Sequence, residues 1–78
     1  MDEMSEYELG QILKEMYDNA PKGEAVAFIH IFGIKYADII RDSGYSSANI
    51  VDASGLPKSY CTEVTKGMKL SKYVELKN

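Results

Sequence analysis

Near the start of the chain, apolar residues recur on one helical face. Leu9, Ile12, Leu13, Met16, Tyr17 and Ala20 follow the spacing i, i+3, i+4, i+7, i+8, i+11, the period of an amphipathic helix. Ser5 with Glu8 three residues later reads as a capping box, and Asn19 and Pro21 close the segment. The pattern predicts a helix over 5–20.

Residues 24–32 are almost continuously apolar (Glu-Ala-Val-Ala-Phe-Ile-His-Ile-Phe). Periodicity does not separate a buried helix from a buried strand in such a run. The alanines, Glu24 in a first turn and the helical pattern that follows favour a helix, with a strand as the open alternative. His30, inside this run, reads as a core or boundary histidine with one hydrogen bond rather than a catalytic group. Gly33 marks a bend or a close helix contact. Ile34, Ala37 and Ile40, with Tyr36, form the next apolar stripe, while Lys35, Asp38, Arg41 and Asp42 face out. This predicts a helix over 34–43, or the second half of a longer one, closed by Gly44 as a C′ residue.

Ser46 and Ser47 are good N-caps for a short helix to about Ser54, with Ile50 and either Ala53 or Val51 inward. Gly55 breaks it. Pro57 suits the first position of a further helix, expected over 57–66 and stopped by Gly67. Over 68–76, Met68, Leu70, Val74 and Leu76 alternate with Lys69, Ser71, Tyr73 and Glu75, with Lys72 as the exception on the apolar side. Alternation allows a strand. A lone strand needs a partner, either the same strand of a second copy or the 26–32 run.

Length changes this picture in one respect. The 78 residues make one domain, and a chain this short buries only about 60% of its unfolded surface, so dimerisation is expected as a source of further core. Charged residues are 27% and apolar ones 45%, which fits a folded globule rather than a disordered chain. One cysteine, Cys61, and one histidine give no internal disulfide and no recognisable zinc site. No apolar run approaches the roughly 20 residues that span a bilayer. From the acidic start, Met-Asp-Glu-Met-Ser-Glu, neither a signal nor a transit peptide is expected. A cytoplasmic setting is expected.

The net charge of −3 speaks against nucleic acid until its distribution is considered. Residues 1–56 hold Lys14, Lys22, Lys35 and Arg41 against ten carboxylates, a balance of −6. Residues 57–78 hold Lys58, Lys66, Lys69, Lys72 and Lys77 against Glu63 and Glu75, a balance of +3. A phosphate backbone responds to charge within a Debye length of about 8–10 Å, so the local excess matters more than the total. The alternative is an ordinary lysine-bearing surface.

One constellation carries the functional signal. In 49–64 a short helix ends at Gly55, Leu56 follows, and a second helix starts within three residues. Ile50 anchors the first helix, Leu56 fills the gap between the two, and Cys61 and Val64 pack back against the first. Gly55 takes a backbone conformation that a side chain would penalise. These five anchors resemble the helix-turn-helix class, here over 46–67, which places its second helix in the major groove. Val51 stands where a small residue is usual, and Ser54 where an apolar one is more common. The stretch from Gly55 to Leu70 also looks like small bacterial helix-turn-helix-like proteins of unassigned role, with Gly-Leu-Pro-Lys-Ser-Tyr preceding Lys-Gly-Met-Lys-Leu.

That phasing turns Lys58, Ser59, Thr62, Glu63 and Lys66 outward. Lys58 and Lys66 can neutralise phosphate or donate to guanine O6 and N7, Ser59 and Thr62 can reach phosphate or base edges, and Glu63 can accept from cytosine N4. Lys69 and Lys72 flank the groove in a wing or extension over 68–76. The resemblance therefore implies a double-stranded-DNA-binding protein, either a transcriptional regulator or an accessory of a DNA-processing system. The alternative is a protein–protein interaction module that uses the same helical hairpin or the C-terminal strand. Tyr60 and Tyr73 can stack on bases or serve as boundary residues. No phosphate loop, metal spacing or Ser/His/Asp set is present, so no enzyme, cofactor or small-molecule substrate is expected. The expected fold is all-α or mostly α: a compact bundle of four to five helices, with room for a short C-terminal strand.

Overall fold

The computed structural model describes residues 4–77. Four helices follow one another: α1 (Glu6–Asn19), α2 (Ala25–Asp42), α3 (Ser47–Ser54) and α4 (Tyr60–Leu70). Among the described residues there is no strand.

Local chemistry sets the ends of α1 and α3. The Glu8 N–H donates to Ser5 Oγ (3.0 Å) and the Ser5 N–H donates back to Glu8 Oε1 (2.9 Å), so the capping box satisfies two helix-end donors. At α3 the Ser46 hydroxyl accepts from the Asn49 N–H (3.3 Å). Gly55 ends this helix with φ 80°, the left-handed region that favours glycine.

The ambiguous apolar run is helical, and Gly33 does not bend it: α2 is continuous over 18 residues. Its composition follows from its place. α2 packs against both α1 and α4, so it buries more than one stripe. Ile29, Phe32, Ala37 and Ile40 are fully enclosed, and Tyr36 and Ile39 pack at the edges. The helix closes with the Tyr45 N–H donating to the Ile40 carbonyl (3.0 Å) past Gly44, whose φ is 72°. A bond that reaches back five residues over a left-handed glycine is a Schellman-type ending.

Two expectations fail in the last third. The final helix was expected over 57–66, with Pro57 in its first position and Gly67 as its stop, but it runs from Tyr60 to Leu70. It is led in by a turn from Pro57, with the Tyr60 and Cys61 N–H groups donating to the Pro57 and Lys58 carbonyls (both 3.0 Å). Gly67 sits inside α4 because it faces α2 at close range, as described below. The strand or wing over 68–76 is also absent. Met68 to Leu70 belong to α4, and the Tyr73 and Val74 N–H groups donate to the Leu70 carbonyl (2.8 and 3.1 Å). Those turn bonds take up donors that a strand ladder needs.

The core draws on all four helices: Leu9 and Leu13 from α1, Ile29, Phe32 and Ile40 from α2, Ile50 and Val51 from α3, and Val64 from α4. At about 1.5–3 kcal/mol per buried side chain of this size, these eight residues are the main favourable contribution to the fold. Among the described residues, no helix is long and apolar enough to cross a membrane.

Candidate nucleic-acid interface

α3 and α4 form a two-helix unit joined at Gly55. Ile50, Val51 and Val64 are fully buried, and Leu56 and Cys61 pack against the core from its margin. The anchors read from the sequence therefore converge. Ser54 is buried, and its hydroxyl donates to the Val51 carbonyl (2.5 Å) and accepts from the Leu56 N–H (3.1 Å). A hydroxyl at a position that usually holds an apolar side chain is thus fully used, fixing the backbone as it enters the turn. Val51, larger than the usual residue there, is absorbed by the core.

Close glycine contacts hold this unit on the other two helices. A Cβ added to Gly10 of α1 would meet Ala53 Cβ at 2.7 Å and the Ile50 carbonyl oxygen at 2.9 Å on α3. A Cβ added to Gly33 of α2 would meet the Val64 carbonyl oxygen at 2.5 Å and Gly67 Cα at 2.9 Å on α4, and one on Gly67 would strike the His30 carbonyl oxygen. The helix backbones touch where no side chain intervenes, so α4 has little freedom to roll.

With Val64, Gly67 and Met68 turned inward, the opposite side of α4 carries Ser59, Thr62, Lys66 and Lys69. At 3.6 residues per turn these four lie within an arc of about 80°, and all are exposed. Lys58 is exposed in the turn before α4, and Lys72 in the turn after it. Six of the seven residues picked from the sequence therefore sit in solvent along one helix and its two ends.

Glu63 is the exception. It is partly buried at the edge of the stripe, where His30 Nε2 lies 2.6 Å from Glu63 Oε1. An ionised carboxylate only accepts, so Nε2 carries the proton. Lys66 Nζ lies 3.6 Å from the other oxygen. The His30 hydrogen bond holds the Glu63 carboxyl below its ordinary range, aided by Lys66 and opposed by burial. Both carboxylate oxygens are already engaged, so Glu63 is not the free acceptor for cytosine N4 that the sequence suggested. The importance of His30 was not visible in sequence either: it lies 33 positions from Glu63, and no local pattern signals the pairing.

The two candidate stacking tyrosines part company. The Tyr60 hydroxyl is 3.4 Å from the Tyr17 hydroxyl, with ring centroids 5.5 Å apart. That hydrogen bond, more than any other effect, pushes the Tyr60 hydroxyl above its ordinary pKa. Tyr60 thus belongs to the α1–α4 contact. Tyr73 is 81% exposed and borders an open groove of about 290 Å³ with His30, Lys66, Lys69 and Leu70. Among the described residues, no three His, Cys, Asp or Glu side chains cluster as a metal site would require.

The sequence model of one protein family, described as an HTH-like domain, matches residues 5–77. No curated protein and no solved structure matches the chain.

Proposed function

The chain belongs to the HTH-like domain family, and we propose that it binds double-stranded DNA through the outer face of α4. The observation that carries this reading is the exposed Ser59–Thr62–Lys66–Lys69 stripe, on a helix whose opposite face is locked by Val64 and Gly67. In this role Lys66, Lys69 and Lys58 meet phosphates or guanine edges, Ser59 and Thr62 donate to phosphate or base edges, and Lys72 extends the contact past the helix end. The −6 balance of residues 1–56 limits unspecific adhesion. The biological role that fits is a cytoplasmic regulator or an accessory of a DNA-processing system.

About three to five phosphate contacts per copy give modest affinity and a slope of log K against log salt of about −2.7 to −4.5. Pairing of two copies doubles the contacts and sets a half-site spacing. Fluorescence anisotropy of a labelled duplex at low and high salt tests the reading. Binding at low salt that weakens along this slope supports it; absence of binding at low salt rules it out.

A second reading rests on a separate observation. Leu70, Tyr73, Val74 and Leu76 are exposed together at the end of the chain, as in a surface that receives another protein. In that case Lys58→Glu with Lys66→Glu leaves partner capture intact. In the DNA reading the same pair of changes abolishes DNA binding.

A further inference from the structure

We infer that His30 is a positioning residue of the DNA face: from α2 it holds the Glu63 carboxylate, and its charge sets how much of the Lys66 charge the duplex meets. This rests on the DNA reading above and extends it to a residue outside the two-helix unit.

Geometry carries the inference. The His30–Glu63 contact, at 2.6 Å, is the one contact between a basic and an acidic side chain that joins two helices among the described residues; the other pairs, Lys14–Asp18, Arg41–Asp38 and Lys66–Glu63, each lie within one helix. It lies at the margin of the exposed stripe, with both side chains partly open to solvent (30% and 25%). The backbone that carries the imidazole is held in place, because the His30 carbonyl abuts Gly67.

The charges facing His30 are few. From α4 come Glu63, Lys66 and Lys69, and Tyr73 closes the groove from the turn beyond. Its neighbours one turn away on α2 are Val26, Ala27, Gly33 and Ile34, none charged. From the α1 side, Tyr17 holds Tyr60, which shares the field of Glu63. When His30 is neutral, Glu63 cancels Lys66 and this edge of the stripe is electrically near zero. When His30 is protonated, Glu63 is matched by the imidazolium, and the Lys66 charge is left for phosphate. His30 is the only histidine in the chain, and histidine is the side chain suited to a change of charge near neutral pH. The duplex should therefore bind more tightly as pH falls from 8 towards 5.5.

The test is duplex affinity by anisotropy at pH 5.5, 6.5 and 8.0 and constant ionic strength. It compares the native chain, His30→Gln and Glu63→Gln, each checked for folding by circular dichroism. One added charge near a phosphate predicts tightening of about threefold for the native chain between pH 8.0 and 5.5. His30→Gln should match it at pH 8.0 and stay flat. Glu63→Gln should bind more tightly than the native chain at pH 8.0, because Lys66 has lost the carboxylate that offsets it. A purely structural role for His30 would shift affinity equally at every pH, and that result overturns the inference. A flat native profile, or a native profile in His30→Gln, does the same. If His30→Gln does not fold, the affinity of Glu63→Gln at pH 8.0 decides: no gain over the native chain overturns the inference. Absence of binding at all three pH values overturns the DNA reading along with this one, whereas binding without pH dependence overturns this one alone.

Discussion

Gly33 of α2 and Gly67 of α4 meet backbone to backbone: a Cβ on Gly33 would lie 2.9 Å from Gly67 Cα and 2.5 Å from the Val64 carbonyl oxygen. Neither glycine terminates a helix. Both allow two helices to cross closer than any side chain permits, and that crossing sets which face of α4 points to solvent.

Replacing either glycine should therefore be costly. Gly33→Ala and Gly67→Ala each force a methyl group into backbone rather than into a pliable side chain. Overpacking of this kind costs about 1–3 kcal/mol, sometimes more, which for a chain of this size lowers Tm by roughly 4–8 °C per kcal/mol. Thermal melts followed by circular dichroism measure it. A Gly67→Ala chain that melts with the native one would mean that the crossing is looser than described.

The turn hydroxyl should matter as much as an anchor. Ser54→Ala removes the acceptor for the Leu56 N–H and the donor to the Val51 carbonyl. Loss of a partner from a buried polar group costs about 1–3 kcal/mol. Urea denaturation should show that loss for Ser54→Ala, and about 1 kcal/mol for the helix cap Ser46→Ala.

Acid should weaken the α2–α4 clasp. The Glu63 carboxyl titrates below its ordinary range because of its hydrogen bond to His30. A lowered pKa in the folded state means that the stabilisation is complete above the unfolded value, about 4.3. It is lost as pH falls through the lower folded value. The difference in Tm between the native chain and Glu63→Gln should therefore be largest near pH 6 and shrink towards pH 3. A difference that stays constant across that range would contradict this account of the His30–Glu63 contact.

Much of this structure was legible in the sequence, for identifiable reasons. Ser5 with Glu8, Ser46 and Gly55 act through neighbours a few residues away, so the limits of α1 and α3 could be read locally. The continuous run through 24–32 was ambiguous because α2 is packed on two sides and shows no single polar face. Gly67 looked like a helix stop because close approach to Gly33 is a relation between distant residues. The alternation over 68–76 joined the end of one helix to the turn after it, and by chance mimicked a strand. At the candidate interface, the outward positions Ser59, Thr62, Lys66 and Lys69 followed from helical phase. The capture of Glu63 by His30 depends on how α2 crosses α4, which no local pattern records.

The most direct measurement is an NMR titration of the isotopically labelled chain with duplex DNA at low salt, recording the backbone amides. Binding through the outer face of α4 predicts that the largest shifts fall on residues 58–72, centred on Ser59, Thr62, Lys66 and Lys69. It also predicts their loss in Lys66→Glu with Lys69→Glu. Shifts concentrated on α1, or none at saturating duplex, would contradict it.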